Sequence, residues 1–376
     1  MNSDFIIVGS GIAGMSAAFR LSNYGKVIVL EKEAHLGFHT TGRSAAFFTE
    51  NYGNKTIRAL TKASRKFLET PPKLFKNNPL MSLNGGSLFI SNSNQSNVID
   101  KELKFAKETS ANVYEISKKE ALKMVPAIKE KYLNRALHEP HSKVMDVDLI
   151  HQGYARCTKN NNGKILFNQE VISISKNKSS WDIKTKTDKF SSPIIINAAG
   201  AWCDEVAITA NCTPLGIKPK KRTVIIFKNS NKYSISRWPV VIDIEDNFYF
   251  KPEAGKFLAS PADETDSPPC DAQPDEIDIA ITVDRIEKAT NLKISHIEHK
   301  WAGLRSFYSD RTPVVGEDQT NSGFYWLAGQ GGYGIQTSPS VSKILECLIT
   351  GKKWPEKLKE LSINPETLSP KRFIKF

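Results

Sequence analysis

Phe5-Ile-Ile-Val-Gly-Ser-Gly-Ile-Ala-Gly14, followed downstream by Val27-Ile-Val-Leu-Glu31, decides how the chain begins. An apolar run enters a glycine-rich turn, small residues suited to a helix follow, and a second apolar run ends on a carboxylate. Each part has a physical task. Gly9 permits the tight turn, Gly11 lets the backbone approach a pyrophosphate, and Gly14 lets the helix pack close on the strand. The helix that starts near Ile12, with Ala13 in its first turn, aims unpaired N–H groups and a positive dipole end at the phosphates. Glu31 stands about twenty residues beyond the central glycine, where an acid accepts from a ribose hydroxyl. A lone glycine turn is common. With a strand before it, a helix after it and an acid at this distance, the pattern predicts dinucleotide binding.

Working outward, 376 residues suffice for a large core and two domains. No apolar run approaches the length of a membrane span, and no secretory leader is recognisable. The five cysteines form no metal-ligand spacing and read as reduced thiols of a cytoplasmic protein. The net charge of +12 raises the question of nucleic acid. The lysines are dispersed among acids, however, and the densest cluster, Lys218, Lys220 and Lys221, is short. A solvated surface is therefore expected, with neither a nucleic-acid partner nor a membrane span.

Ile57, Leu60, Ser64 and Phe67 recur at helical spacing, and 99–108, 118–124, 146–158 and 275–292 are further expected helices. The segment 39–46 reads as a polar loop leading into a short helix. Strands are expected at 86–90, 165–167, 171–175, 181–184 and 194–197. From Arg222 the pattern turns β-rich (223–227, 240–244, 248–251, 257–260), interrupted by a Pro-, Asp- and Ser-rich loop at 263–274. Phe324–Ala328 is an expected strand, followed by a glycine loop, a helix to about Leu348 and an extended tail. The expected fold class is α/β (α+β in two domains): a Rossmann-type domain over 1–82, 147–215 and 304–376, with a β-rich substrate domain, 83–146 and 216–303, inserted in segments.

Three further segments favour FAD over NAD. Asn197-Ala-Ala-Gly-Ala-Trp202 ends an apolar strand on small residues, and Ala199, Gly200 and Trp202 are candidate cofactor contacts. A tight strand-to-helix turn explains the same residues without a cofactor. Thr41-Gly42-Arg43-Ser44-Ala45-Ala46 places donors near the cofactor's middle. Gly331-Gly332-Tyr333-Gly334-Ile335-Gln336 opens the last long helix, whose N-terminus would stabilise negative charge on a reduced flavin ring; a structural loop is the plainer alternative. Lys32 and Val171 are additional candidate contacts.

Together with Tyr52-Gly53, Pro219-Lys-Lys-Arg222, Phe248-Tyr-Phe-Lys-Pro252 and Trp301-Ala-Gly-Leu-Arg-Ser-Phe307, these segments make the whole chain resemble the flavin-dependent D-amino-acid oxidase and dehydrogenase superfamily. The branch it most resembles is that of the bacterial D-arginine dehydrogenases. The resemblance implies noncovalent FAD and oxidation of a D-amino acid to its imino acid, which water hydrolyses to a 2-oxo acid and ammonia. It further implies that Arg222 and Arg305 grip the substrate carboxylate and that Tyr52 and Tyr249 close over it. Gly303 and Gln336 would face the flavin or the substrate amine. The chemistry agrees, because a guanidinium fork suits a planar carboxylate. Hydride transfer to a flavin needs orientation more than a strong protein base.

Two departures bear on the substrate. Phe47 stands where that branch has a histidine, and Gly85-Gly-Ser87 stands roughly where it has a glutamate for the substrate guanidinium. Glu50 is a nearby acid of unknown direction. A cationic side chain without a partner is costly to bury, so a neutral or apolar D-amino acid is expected, with Phe47 and Ser87 lining its pocket. The alternatives are a glycine- or sarcosine-type secondary-amine oxidase and a 2-hydroxy-acid dehydrogenase of the same fold. His39 is expected to order the flavin loop. The remaining histidines have no metal-ligand pattern, and no cysteine lies in the segments from which a flavin thioether would form. The electron acceptor (oxygen, a quinone or a carrier protein) is not legible.

Overall fold

The computed structural model describes residues 1–75, 79–83, 85–109, 111–230 and 233–372. Phe5–Val8 and Val27–Leu30 pair in parallel, Phe5 opposite Val27 and Val8 opposite Leu30, and every residue of both strands is buried. Ile194–Asn197 flanks the first strand on its other side, again in parallel. Lys164–Leu166, Phe324–Ala328 and an antiparallel edge, Val314–Glu317, complete a six-stranded sheet. Strands covered on both faces need apolar residues throughout, which explains why these segments do not alternate. The helices Ile12–Leu21, Val147–Asn160 and Gly334–Thr350 pack on one face. The other face carries the helix Cys203–Thr209 and a three-stranded antiparallel sheet.

A nine-stranded, almost wholly antiparallel sheet forms the second layer. Its order is Gln330–Gly331, Ile297–Phe307, Lys218–Phe227, Lys256–Ser260, Tyr249–Glu253, Val240–Asp243, Ser87–Ser91, Arg135–Glu139 and Tyr114–Ile116. One face buries Phe227, Phe250 and Phe257 under the helices Lys118–Met124 and Glu276–Ala289. The other face carries Val224, Ile226, Ile242 and Tyr249, with Phe47 and Trp301 against them.

The expected elements recur with boundary shifts, and four differences are physical. Lys218–Phe227 is longer than expected, because its polar first half pairs residue for residue with Ile297–Phe307, Lys218 opposite Phe307. Short polar strands such as Lys189–Ser192 and Tyr114–Ile116 lack an apolar pattern and are held by their neighbours. The segment after His39 forms a 3-10 turn, Thr40–Arg43, and then a two-residue strand, Phe47–Phe48. The tail is not extended. It carries the helix Glu356–Glu360 and a 3-10 turn, Pro365–Leu368, because Leu358, Ile363 and Leu368 have core to bury against. Residues 373–376 of that tail lie outside the described residues.

Candidate active site

The two sheets enclose a cavity of ≈ 350 Å³ that runs from the glycine turn at Gly9 and Gly11 to Arg222, Tyr249 and Arg305. At the first end, glycine is sterically required. Gly9 has φ +101°, and a Cβ there would lie 2.6 Å from the carbonyl oxygen of Ala198. A Cβ on Gly14 would lie 1.9 Å from the Gly9 oxygen, so Gly14 sets the approach of helix to strand without lining the cavity. Glu31 lines the cavity and also braces the turn: one oxygen accepts from the Ser10 amide (2.8 Å) and hydroxyl (2.6 Å), the other from the Glu33 amide (3.0 Å). No side chain caps the helix at Gly11, while the Ile12 amide donates to Thr41 Oγ1 at 3.0 Å. Lys32 and Trp202 meet at this end, the ammonium 3.4 Å from the ring centroid, with the His39 ring tilted against Trp202 at 4.5 Å. Val171, Ala199 and Gly200 also line it.

In the middle, the turn Thr40–Arg43 is tied to the long strand Ile297–Phe307. Thr40 Oγ1 donates to the Leu304 carbonyl (2.7 Å), and the Trp301 indole donates to the Arg43 carbonyl (3.1 Å). Arg43 itself donates to the carbonyls of Ala272 (2.9 Å) and Ala302 (3.0 Å) and pairs with Asp271. Its guanidinium is thus taken by the wall. Ser44, Ala45, Gly303, Gly331, Gly332, Gly334 and Ile335 line the cavity. Gly42 and Ala46 do not, although Gly42 closes the turn through its amide to Gly37 and Ala46 adopts φ +40°.

The far end is cationic and under-partnered. Arg222 is 4% exposed. Its Nε donates to the Asp263 carbonyl (2.9 Å), Nη2 reaches Glu264 at 3.4 Å, and Nη1 has no partner. The hydroxyl of Tyr249, buried, also has none. Arg305 Nη1 donates to the Tyr52 hydroxyl at 3.2 Å, and among the described residues no carboxylate forms an ion pair with Arg305. Burial opposes the Arg305 charge, yet Tyr52, Tyr249 and Asp246 more than offset it and hold its pKa above that of ordinary arginine. Tyr52 is pushed up to about 12 by burial and then by Asp246, to which its hydroxyl donates at 3.4 Å. Arg222 Nη1 and the Tyr249 hydroxyl, both unpartnered, and Arg305, which has no carboxylate in an ion pair among the described residues, converge on one cavity and form a site for an anion.

The family model for "FAD dependent oxidoreductase" (DAO) matches residues 4–348. The chain belongs to this family. FAD is its cofactor, and the cavity fits that group: the glycine turn leaves backbone exposed where a Cβ would block it, and a helix N-terminus opens there. The family fold recurs in a glycine oxidase from Geobacillus kaustophilus (TM-score 0.84, 18% identity, 100% of both chains covered). It recurs also in an L-alpha-glycerophosphate oxidase from Mycoplasma pneumoniae with FAD bound (TM-score 0.84, 20% identity, 95% of this chain and 97% of that one). A glycerol 3-phosphate dehydrogenase of Caloramator mitchellensis is 23% identical over 90% of this chain and 72% of its own length.

Besides Gly14, Gly42 and Ala46, five candidate positions stand back from the cavity lining. Tyr52 and Tyr333 pack ring against ring, tilted by 60° with centroids 5.1 Å apart, and neither lines the cavity. Phe47 packs on Tyr249 at 5.9 Å. The Ser87 hydroxyl is buried without a partner beside Glu139, its neighbour in register. Gln336 is turned away, its amide taken by the Thr49 amide (3.2 Å) and Thr61 Oγ1 (2.9 Å). Glu50 is paired with Arg65 at 2.6 Å and supplies no acid to the site. The carboxylates that organise the cationic end, Asp246, Asp263 and Glu264, were not singled out in the sequence. They lie in a turn and a loop whose composition signals only exposure.

Proposed function

We propose that the protein oxidises a small amine-bearing carboxylate, a D-amino acid with a neutral or apolar side chain in the first instance. The observation that carries this is the convergence, on the cavity that begins at the glycine turn, of the unpartnered Arg222 Nη1 and Tyr249 hydroxyl with Arg305, which among the described residues forms no ion pair with a carboxylate. Arg222 and Arg305 bind and orient the carboxylate; Tyr249 adds a neutral donor. Bound FAD supplies the two-electron acceptor. The acids lining the cavity are Glu31, Glu170 and Glu205. Glu31 and Glu170 belong to the glycine-turn end, and Glu205 follows Trp202 there, while Asp246 and Glu264 beside the clamp stand outside the lining and are engaged by Tyr52 and Arg311. A cationic substrate side chain therefore meets no uncommitted acid at the clamp among the described residues. That favours neutral side chains over D-Arg or D-Lys, despite the resemblance to D-arginine dehydrogenases. We assign cofactor binding to segments 1–82, 147–215 and 304–376, and the substrate wall to 83–146 and 216–303.

A second possibility follows from the same clamp, because it recognises an anion and says little about the group oxidised. Glycine or a secondary amine, a 2-hydroxy acid, or glycerol 3-phosphate would each present a suitable anion, and two of these are named in proteins similar to this one. Flavin bleaching without oxygen, across D- and L-amino acids, glycine, sarcosine, 2-hydroxy acids and glycerol 3-phosphate, separates them. The expected result is bleaching by neutral D-amino acids. The highest kcat/KM with D-Arg or D-Lys, or bleaching by hydroxy compounds alone, would overturn the first assignment. Arg305→Leu should lower kcat/KM by at least about a hundredfold with FAD retained; unchanged kcat/KM would remove the clamp.

A further inference from the structure

The loop after Ser260 brings Glu264 against the clamp. Its carboxylate lies between two guanidiniums, and the two distances differ. Oε1 and Oε2 accept from Arg311 Nη2 and Nη1 at 2.6 and 3.0 Å, a paired fork, whereas Arg222 Nη2 is 3.4 Å away. Arg311 is itself held in place. It has φ +59°, lies over the Phe307 ring at 3.9 Å, and follows Asp310, which pairs with Arg372 at 2.9 Å. Glu264 is held below the usual carboxylate range: burial pushes it up, and the Arg311 fork more than offsets that. It is therefore an anion that already touches, through Nη2, the arginine proposed to take the substrate's anion.

We infer that Arg311 is a positioning residue that confines Glu264 to Nη2 of Arg222 and keeps it off Nη1, so that the free Nη1 remains available to the substrate carboxylate. The inference rests on the carboxylate clamp proposed above. Without Arg311, the Glu264 carboxylate closes on Arg222 and competes with the ligand. The consequence is that Glu264 is harmful to binding only when Arg311 is absent. A purely structural contribution of the ion pair has no such conditional sign.

The test uses the FAD-loaded enzyme and acetate as a carboxylate probe, with its Kd read from the perturbation of the flavin absorbance. Arg311→Met should raise the Kd about tenfold, and Glu264→Gln, which keeps an amide oxygen for Arg222 Nη2, gives the single-variant Kd against which the double variant is read. Adding Glu264→Gln to Arg311→Met should bring the Kd down to within about threefold of that of Glu264→Gln alone. Arg311→Lys, which keeps charge but not the fork, should fall between, and it carries the test if Arg311→Met does not fold. No rise in the Arg311 variants, or no recovery in the double variant, overturns the inference. An Arg222→Met enzyme that binds acetate as wild type does would instead overturn the clamp itself.

Discussion

In the proposed clamp, Arg305 and Arg222 differ in how they are held. Arg305 brings uncompensated charge, whereas the Arg222 fork is fixed at two of its three nitrogens by the Asp263 carbonyl and Glu264. Arginine can only donate, so the Tyr52 hydroxyl accepts from Arg305 and must send its own proton to Asp246. With its pKa pushed up to about 12, Tyr52 stays protonated throughout the working range. The folded value lies above the ordinary tyrosine value, so this contribution to stability is complete below about pH 10 and is lost as pH rises through about 12. Two outcomes follow. The pH profile of kcat/KM should show no fall attributable to Tyr52 below pH 10. Tyr52→Phe should raise KM about threefold to tenfold with kcat little changed, since Arg305 keeps its charge but loses an anchor.

The opening strand and helix show how tightly an element can be specified. A methyl group on Gly14 would meet backbone oxygen at 1.9 Å, with no flexible side chain to give way. Gly14→Ala should therefore destabilise the protein by more than about 3 kcal/mol and yield material depleted of FAD. Chemical denaturation and the flavin absorbance of the purified protein measure both effects. The helix Val147–Asn160 begins at Asp146, whose side chain accepts from the Leu149 amide at 2.8 Å. Within it, His151 is buried and its ring bonds the Ser10 carbonyl at 2.8 Å, so this helix supports the glycine turn from behind. Burial lowers the imidazole pKa and keeps the ring neutral there.

Across the whole molecule, the turn Thr40–Arg43 is where the two sheets are joined over the cofactor cavity. Arg43 reaches the loop carbonyl of Ala272 and the strand carbonyl of Ala302 at once, and Asp271 neutralises it. Arg43→Ala removes these ties without touching the substrate clamp. We expect FAD to dissociate about tenfold faster, read from the return of free-flavin fluorescence on dilution, with the KM of a carboxylate substrate within about twofold of wild type. Unchanged dissociation would mean that the backbone bonds from Thr40 and Trp301 suffice to hold this junction.

The amino-acid order alone determined the buried parallel strands and the glycine turn with Glu31. In each, chemistry is local: continuous apolar runs must be covered on both faces, and only glycine tolerates φ +101° with a carbonyl at 2.6 Å. Tertiary structure decided the rest. Lys218 to Arg222 became strand because Ile297–Phe307 lies alongside, and the tail became helical because the core had room for Leu358 and Ile363. It also decided direction, which no spacing encodes. Gln336 and Glu50 turned from the cavity toward Thr61 and Arg65, and Asp263 and Glu264 came from a distant loop to meet Arg222. Side-chain direction is settled by which long-range partner satisfies a buried polar group, and that partner is known only once the sheets have closed on each other.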